Sequence, residues 1–142
     1  MNIEVNYKNK RRYNTAKYPI RQPLFIVGLI WVLSKFGLMG KQYRIEKINM
    51  DSLKPPYLLL SNHMHFTDFE LAAAGTYPRK VSNVVSFEGH VFRWFLIDWI
   101  GSITTRRFTF DLHLIKSIRK VLQRGDILCM YPEARYTPSG TA

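Results

Sequence analysis

Residues 57–70, Tyr57-Leu58-Leu59-Leu60-Ser61-Asn62-His63-Met64-His65-Phe66-Thr67-Asp68-Phe69-Glu70, decide how the rest of the chain is read. The stretch begins behind Pro55-Pro56 as a short apolar run with the length of a buried strand. It finishes at Thr67-Asp68-Phe69-Glu70, a capping-box pattern that opens a helix through Leu71, Ala72, Ala73 and Ala74. The backbone must turn in between, and His63, His65 and Asp68 lie on that turn. On one continuous helix His63 and Asp68 would stand about 140° apart and could not meet. With His63 at a strand end and Asp68 in a helix's first turn, the loop can fold the carboxylate back onto the imidazole. A carboxylate on Nδ1 fixes the tautomer and leaves Nε2 to act as a general base. Thr67 supplies the expected cap, which releases Asp68 for that role.

Downstream the same alternation continues. Val81 to Phe87 reads as a strand after the Pro78 break, and Gly101 to Thr105 as a short strand delivering Arg106 and Arg107. Asp111 caps a helix with Leu112, Ile115, Ile118, Val121 and Leu122 on one face, and Gly125 ends it. Ile127 to Tyr131 is a buried strand closed by Pro132-Glu133. Upstream, Tyr43 to Ile48 nearly alternates and suggests an edge strand. Strand–helix alternation implies an α/β fold with a largely parallel sheet and flanking helices, whose ligands gather at the strand carboxyl ends. His63, Arg107 and Glu133 each fall at or just beyond such an end.

Asn62-His63-x-x-x-x-Asp68 after an apolar strand resembles the first motif of the glycerolipid acyltransferases, the 1-acylglycerol-3-phosphate acyltransferase family. Gly101-Ser102-Ile103-Thr104-Thr105-Arg106-Arg107 resembles the second, and Met130-Tyr131-Pro132-Glu133-Ala134-Arg135-Tyr136 the third, commonly Phe-Pro-Glu-Gly-Thr-Arg-Ser. Tyr131 stands where the family has Phe, and Arg135 follows Glu133 by two residues rather than three. The motifs occur in the family's order over about residues 57–141.

The resemblance implies a glycerol-3-phosphate acyltransferase-like fold and transfer of a fatty acyl group from a thioester to a lysophospholipid hydroxyl, lysophosphatidate to phosphatidate. It makes His63 the base, Asp68 its orienter, Arg107 the phosphate anchor, and Glu133 with Arg135 substrate contacts. Acyl-CoA or acyl carrier protein carries the donor as co-substrate, and no further cofactor or metal is implied. A fourth, apolar motif containing Pro is expected beyond Ala142, so the C-terminal part of the domain reads as missing.

The chain's 46% hydrophobic and 14% aromatic content excludes a disordered protein. Its net charge of +11 is concentrated early: residues 1–50 carry ten Lys and Arg against Glu4 and Glu46. Behind that basic arm, Leu24-Phe25-Ile26-Val27-Gly28-Leu29-Ile30-Trp31-Val32-Leu33 is uncharged, yet shorter than the ~20 residues that cross a bilayer. A secretory signal, a buried core helix and an interfacial helix compete for it. The basic residues upstream favour the last. Residues 1–40 are therefore read as a membrane-associating segment on the cytoplasmic face and 41–142 as the acyltransferase domain, with membrane phospholipid as partner and no nucleic acid.

Two other classes remain in view. A basic-armed module that binds nucleic acid or anionic lipid without chemistry explains the first 50 residues but not the motif order. A metal hydrolase would use His63, His65 and Asp68 as ligands, since side chains at i and i+2 of a strand share a face. Its further ligands are wanting, because His90 and His113 lie in apparent helices. Cys129 and Ser61 both sit within strands, so no acyl-enzyme is indicated, and a lone cysteine rules out an internal disulfide.

Overall fold

The computed structural model describes residues 17–50, 52–65, 67–87, 97–106 and 110–133, and Arg107, Arg135, His90 and the basic arm before Lys17 lie outside them. In chain order come α1 (Leu24–Gly37), β1 (Leu58–Leu60), α2 (Asp68–Thr76), β2 (Val81–Ser86), β3 (Ile103–Thr105), α3 (Leu112–Gln123) and β4 (Ile127–Met130). The strands form one parallel sheet in the order β1-β4-β2-β3. The α/β class and the parallel sheet with flanking helices are thus as the alternation requires.

The chain leaves β1 across β4 to reach β2, and later returns from β3 into the gap between them. Right-handed crossovers in opposite directions put their helices on opposite faces. Alternation along β4 shows the result. Ile127 and Cys129 pack with Val81, Leu59 and Ala72 on the α2 side, whereas Leu128 packs with Ile103, Val121 and Ile118 on the α3 side. All three β4 residues are fully buried, which is why that strand reads as an unbroken apolar run.

β1 departs from the buried strand expected. It lies at an edge of the sheet, where only Leu59 faces a helix; Leu58 and Leu60 are 45% and 58% exposed. Tyr43 to Ile48 forms no strand. Its charged alternation finds no ladder partner, and Ile45 instead lies over Gly75 of α2.

Asp111 caps α3 as read, its Oδ1 accepting from the His113 and Leu114 N–H groups at 2.9 and 3.1 Å. Gly125, at φ +80°, reverses the chain after it. The buried stripe is rotated from the expected one. Leu114, Ser117, Ile118, Val121 and Leu122 meet the sheet, while Leu112 and Ile115 stay exposed. Ser117 lies fully buried near the middle of this contact, where its small side chain lets the helix approach closely.

Along α1, Ile26, Val27, Ser34 and the following Leu38 are buried and the helix packs on α2. Ser34 is accommodated by donating its hydroxyl to the Ile30 carbonyl at 2.7 Å. Trp31 stacks on Tyr77 beyond the end of α2, and Gly37 abuts Glu70 in its first turn, so the two helices run antiparallel. Among the described residues no helix is long and apolar enough to cross a membrane.

Residues 17–23 form a strap along the amino-terminal ends of the strands. Gln22 Nε2 donates to the carbonyls of Val81, at 2.8 Å, and Ile100. Arg124 donates to Pro19 O at 2.8 Å, Ile20 O at 3.2 Å and Ser82 Oγ at 3.0 Å, while its Nε holds Asp126 at 2.6 Å. Gly101, at φ +65°, lets the Ile20 carbonyl come against its Cα. Tyr18 completes the strap between the His113 ring at 4.9 Å and the Lys120 ammonium at 4.3 Å.

Candidate active site

The turn after β1 and the first turn of α2 bring His63 and Asp68 together, with Nδ1 of His63 3.0 Å from Oδ2 of Asp68. The same oxygen accepts the N–H of Met64 at 2.8 Å and of His65 at 3.0 Å. Burial pushes the Asp68 carboxyl up, but the His65 N–H, the His63 ring and the Met64 N–H together push it further down, below its ordinary value. An ionised carboxylate offers only acceptors, so the proton between the two side chains belongs to Nδ1 of His63 and the ring's lone pair to Nε2.

Thr67 does not provide the cap expected of it. Its backbone is already helical, at φ −70° and ψ −8°, and its side chain makes no capping bond. A hydroxyl reaches forward to the first helical N–H groups from extended backbone, which Thr67 lacks. Its Oγ1 lies 3.4 Å from Nδ1 of His65 instead. The Glu70 half of the capping box is likewise diverted, its carboxylate packing on Gly37 of α1. Closing the 63–68 turn therefore falls to Asp68, the residue that also holds the imidazole.

β4 supplies the facing wall. Leu60 is in register with Met130, and the ladder extends one bond further, from Ser61 N–H to Met130 O at 3.2 Å. The next residue of β4's chain, Tyr131, consequently lies against His63, with ring centroids 4.4 Å apart and planes inclined by 26°. Below them Cys129 is fully buried. Its thiol is pushed above its ordinary value by burial, the neighbouring Tyr131 side chain opposes the rise, and the Asp68 charge adds to it. A thiol held neutral in this way is no nucleophile.

The remaining sequence-derived residues divide. Glu133 is half-buried, three residues beyond the end of β4 and two beyond Tyr131. Arg106 is exposed, with its guanidinium 5.4 Å over the Phe87 ring. Arg107 and Arg135 fall outside the described residues. His65 is exposed and turned toward Thr67, whose N–H lies 3.4 Å from its Nδ1. Among the described residues no three His, Cys, Asp or Glu side chains are grouped to hold a metal.

Tyr131 is the site residue that sequence reading passed over. The signal was its aromatic ring directly after a strand, but pairing it with His63 needed the β1–β4 adjacency, which no local pattern carries. Compared with known protein families, curated proteins and solved structures, the chain matches none.

Proposed function

We propose that this protein is a membrane-associated acyltransferase of the 1-acylglycerol-3-phosphate acyltransferase type, with the corresponding glycerol-3-phosphate acyltransferase-like fold. The Asp68–His63 hydrogen bond at the carboxyl end of a parallel strand carries this reading. It leaves the ring's basic nitrogen to act on a substrate hydroxyl, as in a Ser-His-Asp arrangement in which the acceptor alcohol replaces the serine.

In the proposed reaction Nε2 of His63 takes the proton of a lysophospholipid hydroxyl as its oxygen attacks the acyl thioester carbonyl. The new ester C–O bond forms, the C–S bond breaks, and the imidazolium returns its proton to the departing thiolate. Asp68 stabilises that imidazolium. Arg107, two residues after β3 in the chain, anchors the acceptor phosphate through paired hydrogen bonds, with Arg135 assisting and Glu133 accepting from a substrate hydroxyl. Acyl-CoA or acyl carrier protein delivers the donor.

The outward side of α1 supports the membrane assignment. Leu24, Phe25, Leu29, Val32, Leu33 and Phe36 are exposed there, opposite the residues packed on α2. Such a half-seated apolar helix suits an interface, and each cation near an anionic cytoplasmic leaflet adds about 1 kcal/mol.

The test is thiol release from an acyl thioester in lipid or detergent, with lysophosphatidate as acceptor, for wild type and His63→Ala. Release that depends on acceptor and falls about 10²–10⁴-fold in the variant is expected. Equal release by both proteins would overturn the reading.

A further inference from the structure

The Asp68 bond at 3.0 Å meets His63 in the plane of its ring, so that bond does not itself oppose rotation of the imidazole about the bond axis. The ring stacked on its face opposes that rotation. Tyr131 lies 4.4 Å away, inclined by 26°, and packs in turn against the core cluster of Val81, Ile127 and Cys129. Its hydroxyl is buried. The phenol is therefore seated on the core around β4, the strand with the deepest burial, whereas His63 follows an edge strand of three residues.

We propose that Tyr131 is a positioning residue: its ring clamps the face of His63, keeps Nδ1 on Asp68 and stabilises the imidazolium formed in turnover through its π-face. A ring stacked on a partly buried imidazole contributes by packing and, once the imidazole is charged, by attraction to the ring's quadrupole. Both contributions come from the ring, and neither requires the hydroxyl. The role in turnover rests on the acyltransferase reading above; the clamping of His63 does not.

The first readout is the Nδ1 proton of His63, followed by NMR in wild type, Tyr131→Phe and Tyr131→Leu. Wild type and Tyr131→Phe are expected to show a protected proton shifted downfield by the Asp68 carboxylate. In Tyr131→Leu its exchange should quicken about tenfold, the equivalent of one aromatic pair lost, and the His63 carbon-bound ring protons should lose their ring-current shift. Thermal melts of the three proteins separate this from loss of the fold. An unchanged Nδ1 proton in folded Tyr131→Leu would overturn the clamp, whatever the activity of the protein.

The second readout is turnover. Tyr131→Leu is expected to lower kcat about tenfold at unchanged acceptor KM, with recovery in Tyr131→Phe. Full kcat in Tyr131→Leu beside an active wild type would overturn Tyr131's part in turnover and leave the acyltransferase reading standing. An inactive wild type would overturn that reading and, with it, the imidazolium role, while the NMR result still decides the clamp.

Discussion

Oδ2 of Asp68 accepts from Nδ1 of His63 at 3.0 Å while also receiving two backbone N–H groups of the turn between them. One carboxylate oxygen thus both folds the loop and orients the imidazole. Asp68→Asn separates these functions, because an amide oxygen can still accept from Met64 and His65 but carries no charge for the imidazolium. Turnover is expected to fall at least about 10²-fold with the loop retained. Steady-state kinetics beside an NMR comparison of the Met64 and His65 amides would check it; an unimpaired rate would remove Asp68 from the mechanism.

The same carboxyl sets an acid limb on stability. Its folded-state value lies below the ordinary 3.8, so the folded form is favoured while Asp68 is ionised. That contribution is complete above the unfolded value and disappears as pH falls through the folded one. Urea unfolding at a series of pH values should show wild type losing stability across this window faster than Asp68→Asn. Parallel curves would contradict the assigned hydrogen bonds.

Arg124 ties the strap to the sheet, and its partner Asp126 is only 3% exposed. In Arg124→Met the buried carboxylate keeps, among the described residues, only Arg21, at 3.5 Å, as an ionic partner. Removing one member of a buried pair costs about 3–5 kcal/mol. Equilibrium denaturation measures this directly, and a change within about 0.5 kcal/mol, the range of ordinary surface substitutions, would show that the network carries no stability.

Gly101→Ala tests the other end of the strap. A left-handed backbone costs a residue with a side chain about 1–2 kcal/mol, and the new Cβ would also fall on the Ile20 carbonyl. Destabilisation beyond that range is expected, together with faster hydrogen exchange at the strand residues Val81 and Ile127.

Cys129, fully buried and with its thiol pushed up by burial, should resist iodoacetamide in the folded protein and react only on unfolding. Alkylation rates followed against denaturant should track global unfolding. Rapid labelling in native buffer would mean that the strand under the site opens.

How far the sequence led depended on how local each signal was. The ends of α3 were legible because Asp111 and Gly125 act within a few residues of themselves. His63 and Asp68 were legible as a pair because they flank one turn. Tyr131 was not, since the contact joins residues that follow two strands whose side-by-side order only the folded sheet establishes. Leu112 and Ile115 followed the helical period faithfully and still ended in solvent, because Ser117 lets a different stripe approach the sheet. Tyr43 to Ile48 had the alternation of a strand without a neighbour to pair with. Thr67 and Glu70 matched a capping box in letters, but the tertiary contacts of α1 and the site claimed both residues.

The strap also has a consequence in time. Pro19 and Ile20 are bonded to Arg124, more than a hundred residues later in the chain, and Gln22 waits for Val81 and Ile100. During synthesis from the amino terminus α1 emerges long before the arginine that will tie down its leading end. Throughout that interval the apolar helix has water or a lipid surface to meet, and no finished sheet to rest on. Of the described helices α1 is therefore the earliest made, yet its amino-terminal end is moored only after Arg124 has followed it out.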